Sequence, residues 1–551
     1  MRNAIRSVRS WGARRLTMEQ KLWLSKFGHR EHEWQQRILK PRQVPGVRAQ
    51  QGFDALRNVQ QNLQTVRSAL TGQGIEFVQL PQISRFQPIL VVSERQVTAV
   101  IETAAKLPRS EGWQMTIVGR NSRTMAIAAA KAMPKEVRRI YLERRITDAG
   151  GITLSTPQEQ VVIEPWKVLG KGTERVDGET HIPGTLHRKI LKRTTAIEYI
   201  TPDNWRRAVD ENESAIEWSH PHVLDVEGPV DIVYTWVDGS DPEWSRRKQL
   251  AAGTVVEDEF NETAANFSRY ASRDELLYSL RSVEYYANWV NHIYIVTDKQ
   301  IPEWLNTEHP KITVVDHTEI FSDPSVLPVF NSHAIESQLH HIPGLSEKYL
   351  YLNDDFFFMR PVEPTLFYTG NGLSRFFPST APLDVDPASA RDLPVLSAAK
   401  RNRTYMIENH GRVVTNKFKH TPQPQLRSVL EAMESEHPEL FAQVAASRFR
   451  HPDDYSIPSA LYHFDAYARG KAIDSRIKYG YMDIARTDAE LYLQRLSRRT
   501  DLDVLCLNDT NTSEEGAERL NSILRDFLEE RFPVPSSFEK TTGGSMGRVT
   551  Q

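Results

Sequence analysis

Residues 230–237 (VDIVYTWV) form an apolar, β-branched and aromatic run, interrupted only by Asp231, that stops at Asp238-Gly239-Ser240-Asp241-Pro242. This pattern predicts a strand buried on both faces that feeds a polar turn. Three similar runs follow at 292–297 (HIYIVT), 312–315 (ITVV) and 348–352 (KYLYL). Between them, residues 275–288 and 331–341 carry helical patterns. Strands alternating with helices predict an α/β domain: a mostly parallel, Rossmann-like sheet with helices on both faces. Ligands of such sheets sit beyond the carboxyl ends of the strands. All four predicted strands run into acids, namely Asp238, Asp298, Asp316 and the pair Asp354-Asp355.

Upstream, the patterns are shorter. Residues 55–70 predict a helix, 88–92 (PILVV) and 113–118 (WQMTIV) predict strands, and 94–107 predicts a helix between them. Residues 161–166 (VVIEPW) suggest a further strand. Together they predict an α/β or α+β accessory domain over 51–220, without a catalytic constellation. Residues 221–229 read as a linker to the main domain, 230–538, and 540–551 as a disordered tail.

Composition narrows the class. The chain has 551 residues, 39% hydrophobic and 25% charged, with 69 basic against 71 acidic side chains. The apolar and aromatic content excludes a wholly disordered chain. The neutral balance argues against a nucleic-acid partner. The single cysteine, Cys506, excludes an intramolecular disulfide and any multi-cysteine zinc site. No run approaches the roughly 18 apolar residues needed to span a bilayer. Residues 1–50 carry twelve Lys/Arg against three Glu, interleaved with Trp11, Leu16, Trp23 and Phe27. Two readings stand for this segment: an amphipathic helix on an anionic membrane, or a solvated or partner-bound helix.

Chemistry gathers in two groups. Asp238 and Asp241 share a Gly-Ser turn, and Asp354-Asp355 end a strand; hard oxygens at strand ends suit Mg²⁺ or Mn²⁺. Turn formation alone also explains such acids. The second group is cationic: Arg269, Arg273 and Arg281, then His333 beside Asn331, then NKFKH at 416–420 and RHPDD at 450–454. Such residues neutralise phosphates and move protons. His317, His340, His341, Trp289 and Trp304 read as structural.

The run VDIVYTWVDGSDPEW resembles the first signature of the Stealth family of hexose-1-phosphate transferases. Three further stretches resemble its later signatures in order: SRDELLYSLRSVEYYANWVNHIYIVTDKQ through KYLYLNDDFFF, then RNRTYMIENHGRVVTNKFKHTPQPQL with RHPDDYSIPSALYHF, and finally CLNDT at 506–510. Leu277 and Thr510 depart from the family pattern, where arginine and asparagine are frequent. The resemblance implies an exopolysaccharide or capsule phosphotransferase. Its donor would be a UDP-sugar such as UDP-N-acetylglucosamine, and its acceptor a glycan or lipid-linked glycan. Sugar 1-phosphate would move to an acceptor hydroxyl and UMP would leave.

By position, the resemblance implies that Asp354 and Asp355 act at the reacting centre, as ligands of Mg²⁺ or Mn²⁺ or as acid/base groups. It assigns proton transfer to His420, with His333 as second choice. It assigns substrate contacts to Trp236, Asp238, Asp241, Arg273, Asp274, Arg281, Asn331, Lys417 and Asn508. A metal-dependent glycosyltransferase releasing UDP and a non-catalytic scaffold of polysaccharide assembly are the alternatives. The expected location is cytoplasmic, peripheral to the inner face of the membrane; a homo-oligomer is compatible with the sequence.

Overall fold

The computed structural model describes residues 46–49, 52–81, 84–175, 178–189, 197–210, 222–253, 272–389, 391–497, 499–509 and 514–540. Nearly all of the basic N-terminal segment, Arg269, Thr510 and the tail beyond Lys540 lie outside these residues.

The N-terminal module opens with helix α1 (Ala55–Thr71), started by Asp54, whose carboxylate accepts from the amides of Leu56 and Arg57 at 2.9 and 3.1 Å. Helix α2 (Val97–Ala105) follows strand β1 (Ile89–Ser93); then come β2 (Trp113–Val118), β3 (Arg139–Arg144) and β4 (Val161–Val168). The helix expected over 94–107 is shorter, because Glu94–Gln96 form a 3₁₀ turn capped by Ser93. Strands β1 and β4 are parallel, while β4–β3 and β3–β2 are antiparallel. The sheet is therefore mixed, as in an α+β unit.

Strand β4 buries Glu164, which Arg188 grips through two hydrogen bonds of 2.7 and 2.9 Å and Arg139 meets at 2.9 Å. A buried carboxylate needs such partners.

Residues 222–229 are not a free linker. Val226 is buried in the main core, and Glu227 accepts at its carbonyl from Lys348 Nζ at 2.9 Å. Gly370 packs so tightly there that a Cβ would come within 2.6 Å of the Val223 carbonyl oxygen. Burial of Val226 supplies the docking energy that a polar linker lacks. The module and the main domain also share apolar core through Phe53, Val59 and Phe86. Polar contacts cross as well: Asn288 Nδ2 donates to Asp54 Oδ2 at 2.6 Å, and Gln158 Nε2 to the Pro361 carbonyl at 2.9 Å.

The main domain is built on β5 (Val230–Thr235), β6 (Ile293–Thr297), β7 (Ile312–Asp316), β8 (Lys348–Asn353) and β10 (Gln423–Leu426). Their spatial order is β7-β6-β5-β8-β10, the first four parallel and β10 antiparallel at the edge. In register, Ile232 lies between Ile293 and Leu350. From β5 the chain moves outward through β6 to β7, then returns to the other side of β5 as β8. That reversal opens a crevice beyond the ends of β5 and β8.

Beyond β8, Asp354 and Asp355 turn the chain into β9 (Phe356–Phe358). That strand belongs to a second sheet with β11 (Tyr479–Asp483) and β12 (Val504–Asn508), in the order β9-β12-β11. The aspartate pair thus forms the corner where two sheets meet.

Helix α4 (Glu275–Tyr286) packs on both sheets; Ser279 Oγ lies 2.7 Å from the Tyr234 hydroxyl and donates to the Phe356 carbonyl at 2.5 Å. Helix α3 (Pro242–Ala252) precedes it in the chain, capped by Asp241. The helix expected over 331–341 is broken into α5 (Ser332–Glu336) and a 3₁₀ turn, Leu339–His341. At the break, Ser337 Oγ bonds back to the Ala334 carbonyl at 2.8 Å, and Gln338 Oε1 accepts from the Ser322 amide at 3.2 Å. These side chains compete with the helix for backbone partners. Helices α6 (Pro394–His410), α7 (Arg427–Glu436) and α8 (Glu514–Arg531) complete the elements used below. Among the described residues, no helix is long and apolar enough to cross a membrane.

Candidate active site

A cavity of about 730 Å³ opens beyond the ends of β5 and β8. Thr235 and Trp236 line it from β5, Asn353, Asp354 and Asp355 from the sheet corner, and His333 and Glu336 from α5. Lys417, Phe418, Lys419 and His420 enter from the segment before β10, and Tyr481 and Asn508 from the second sheet.

The corner concentrates acid. Burial, then the neighbouring Glu275 and Asp355 carboxylates, push Asp354 well above the usual carboxylate range. Burial also raises Glu275, against the pull of Arg273. Glu275 stands in the first turn of α4, and its Oε2 accepts from the Arg273 amide at 2.6 Å. Arg273 is nearly enclosed: its guanidinium pairs with Asp509, lies 3.6 Å from Glu275 Oε1 and donates to Asn521 Oδ1 at 2.6 Å.

Asp355 accepts at Oδ2 from the Cys506 thiol at 3.3 Å, while its Oδ1 is buried without a hydrogen-bond partner. His420 Nε2 lies 4.0 Å from Asp355 Oδ2. It also lies 3.4 Å from Asn353 Nδ2, which only donates, so in this arrangement Nε2 presents its lone pair. The Asn353 amide is itself held, because Tyr351 donates to Asn353 Oδ1 at 2.9 Å. The His420 ring rests 5.0 Å from Phe356, centroid to centroid.

The acids of the corner fit a divalent cation. Glu275 and Asp355 raise the proton affinity of Asp354, Asp355 adds to that of Glu275, and Asp355 Oδ1 is buried without a hydrogen-bond partner among the described residues. A dication relieves both conditions. Asp355, His420 and Cys506 also bring possible donor atoms within 4.8 Å of one another. Burial, then Asp355, drives the Cys506 thiol well above its ordinary range, so sulfur serves there as a hydrogen-bond donor and not as a thiolate.

Other residues named from the sequence are distributed unevenly. Trp236, Lys417, Asn508 and His333 line the cavity. Asn508 Nδ2 donates to the Tyr481 hydroxyl at 3.0 Å. His333 Nδ1 lies 3.6 Å from Asp454, which Asn331 also holds at 2.8 Å. Asn331 is wholly buried and caps α5, so its contact is with the protein and not with the cavity.

Asp238 and Asp241 do not line the cavity. Asp238 closes its turn through Ser240, and Asp241 caps α3 through the Glu243 amide at 2.8 Å. Arg281 is also directed elsewhere: it forms a bidentate pair with Glu539 at 2.9 and 2.7 Å and donates to the Phe532 carbonyl. The helix face that carries it packs on the C-terminal segment. Asp274, in the left-handed region at φ 64°, starts α4 and faces Arg525 at 3.8 Å.

Of the strand-end acids, Asp298 lines the cavity paired with Arg247 at 2.9 Å, whereas Asp316 caps a short helix, His317–Ile320. His317 also borders the cavity; burial lowers it to about 4 despite Asp298 and Asp316. The roles of Glu275, Cys506, Tyr481 and Asp509 were missed from sequence. Each comes from an element distant in the chain; Cys506, for example, reaches the corner through its strand pairing with Phe356.

The fold and site define an α/β protein whose main domain carries an acid-cornered cavity at the switch point of its parallel sheet. The chain belongs to the Stealth proteins: conserved regions 1, 2, 3 and 4 match residues 228–254, 269–376, 419–467 and 494–545. It is similar to the exopolysaccharide phosphotransferase SCO6023 of Streptomyces coelicolor, at 49% identity over 316 residues, 57% of this chain and 53% of that one. It is similar to CpsY of Mycobacterium tuberculosis, also named an exopolysaccharide phosphotransferase, at 39% identity over 65% of this chain and 66% of that one.

A third such protein, SCO2592 of Streptomyces coelicolor, matches at 36% identity over 88% of this chain and 51% of its own length, so the likeness reaches into the N-terminal module. The chain spans about half the length of the Streptomyces relatives named here. A solved galactosyltransferase, LgtC, aligns over 54% of this chain and 95% of its own at 15% identity, with a TM-score of 0.28, too low to support an argument.

Proposed function

We propose that this chain transfers a hexose 1-phosphate or N-acetylhexosamine 1-phosphate from a UDP-sugar to a hydroxyl of a glycan or lipid-linked glycan. The observation that carries this reading is His420 Nε2, 4.0 Å from Asp355 at the carboxylate corner and open to the cavity. The phosphotransferase names of the relatives support it.

In the proposed reaction the acceptor oxygen forms a bond to the sugar-linked phosphorus, and the bond from that phosphorus to the bridging oxygen of the UMP leaving group breaks. His420 Nε2 takes the acceptor proton, a role suited to imidazole near neutral pH. Lys417, Lys419 and Arg450 line the cavity and bring positive charge to the pyrophosphate. Asp354, Asp355 and Glu275 would hold Mg²⁺ or Mn²⁺. Bound there, the cation would neutralise charge on the phosphate oxygens. Trp236 supplies an aromatic wall for the donor.

The test is a screen of UDP-sugars with Mg²⁺ or Mn²⁺ and a glycan acceptor, followed by mass spectrometry of nucleotide and product. Release of UMP with a phosphodiester product is expected. Release of UDP would convert the reading to glycosyl transfer, and no turnover with any donor would favour a scaffold. We further propose that the reaction runs at the cytoplasmic membrane face, with the basic N-terminal segment as the contact. Loss of sedimentation with anionic vesicles on removing residues 1–45 is expected.

A further inference from the structure

Outside the cavity, the turn Leu339–His341 meets helix α7. His340 and His341 both direct Nε2 at one atom, Glu434 Oε2, each at 2.7 Å. The far side of each ring reveals where hydrogens reside. His341 Nδ1 lies 2.9 Å from the Ile320 carbonyl oxygen, which only accepts, so Nδ1 carries hydrogen. In a neutral His341, Nε2 is then a lone pair facing a carboxylate oxygen. Two lone pairs at that separation need a proton or a cation between them.

His340 adds to the demand. Its Nδ1 is buried with no hydrogen-bond partner, and its Nε2 competes for the same carboxylate oxygen. Phe441 packs against it edge to face, with ring centroids 5.8 Å apart, and helps fix its orientation.

This arrangement has the marks of a metal site. A ring N–H donated to a backbone carbonyl is the common way of aiming the opposite imidazole nitrogen at a metal. Two imidazoles and one carboxylate form a donor set for zinc-class cations. The three donor atoms lie within 4.8 Å of one another. Tetrahedral ligands about 2.1 Å from zinc sit roughly 3.4 Å apart, so each 2.7 Å contact needs to open by less than about 1 Å. The side chains are 0%, 26% and 24% exposed, which seals one side and leaves the other open to water. Glu431, one turn earlier on α7, adds negative potential at both imidazoles.

We propose that His340, His341 and Glu434 form a three-ligand site for a zinc-class divalent cation, with its fourth position taken by water. The cation replaces a proton, which leaves for solvent. It ties the turn after α5, which carries His333 and Glu336, to α7. The site is separate from the carboxylate corner and independent of the proposed transferase activity.

The full chain is loaded with zinc chloride, dialysed against metal-free buffer and analysed for bound zinc and melting temperature. At least one zinc per chain is expected in the parent protein and, undiminished, in His420→Ala, which removes the imidazole from the second donor cluster at Asp355. His341→Ala and Glu434→Gln are expected to weaken zinc binding at least ~100-fold and to abolish the zinc-induced rise in melting temperature. Absence of retained zinc in the parent, or equal retention by both ligand variants, overturns the proposal. Because the His341 ring is partly exposed, His341→Ala carries the test if Glu434→Gln does not fold, with circular dichroism as the check on folding.

Discussion

The Cys506 thiol lies 3.3 Å from Asp355 Oδ2, across the antiparallel pairing of β12 with β9. Residues 151 positions apart in sequence are thereby coupled at the sheet corner. Cys506→Ala removes the only hydrogen-bond donor found for the Asp355 carboxylate among the described residues. The proposed transfer activity is expected to fall about tenfold, consistent with about 1.5 kcal/mol for a hydrogen bond to a charged group. Cys506→Ser, which keeps a donor, is expected to retain more activity than alanine. Equal loss in both variants would assign Cys506 to packing alone.

The same burial shields the thiol. Cys506 is 1% exposed, and its proton is held tightly beside Asp355. Alkylation at pH 8 is expected to be at least ~100-fold slower in the native chain than in the unfolded chain, because the thiolate is the reacting form. Mass spectrometry of maleimide-treated protein measures this directly.

His420 and Asp355 are expected to act together on the proposed reaction. His420→Ala lowers turnover by about 10²–10⁴ if it takes the acceptor proton. The double variant with Asp355→Asn then falls little further than the more damaging single variant, as for groups that act as a unit. Fully additive losses with unchanged pH profiles would remove His420 from proton transfer.

Arg281 makes the opposite case. Its guanidinium and the Glu539 carboxylate are each 11% exposed. Arg281→Ala leaves a nearly buried carboxylate unpaired and is expected to cost about 3–5 kcal/mol of stability. Chemical denaturation measures the cost. At temperatures where the variant stays folded, its KM for donor is expected to match the parent's, since this guanidinium does not line the cavity.

Glu159 makes stability pH-dependent. It is 2% exposed, and burial raises its carboxyl from 4.5 to about 7, against hydrogen bonds from Asn58 and Thr156. The folded state therefore binds this proton more tightly than the unfolded state. The resulting stabilisation is complete below pH 4.5 and is lost as pH rises through 7, by about 3 kcal/mol in all. Glu159→Gln carries no such proton, so its stability between pH 5 and pH 8.5 is expected to decline less than the parent's. Parallel pH profiles in denaturant melts would refute the assignment.

Strands β5, β6 and β8 were legible because they are buried on both faces, whereas β10, with the sequence QPQL, carries no strand signal of its own. The parallel order also followed from alternating elements. The broken helix over 331–341 was not legible, since Ser337 and Gln338 are compatible with a helix until Ser322 and the Ala334 carbonyl offer competing partners. Arg281 and Arg273 lie on similar sequence yet meet different fates, because one points at Glu539 and the other at the acid corner.

Taken alone, the sequence determined the four parallel strands of the main sheet, the four Stealth signatures and the presence of acids at strand ends, because local hydrophobic patterning and motif spacing are properties of neighbouring residues. Only the tertiary structure decided which acids act together. Asp354, Asp355 and Glu275 converge because a sheet corner and the first turn of α4 are packed against one another. Asp238, Asp241 and Asp316 satisfy turns and helix caps instead. Electrostatic coupling depends on distance and burial, and both are set by contacts between segments far apart in the chain.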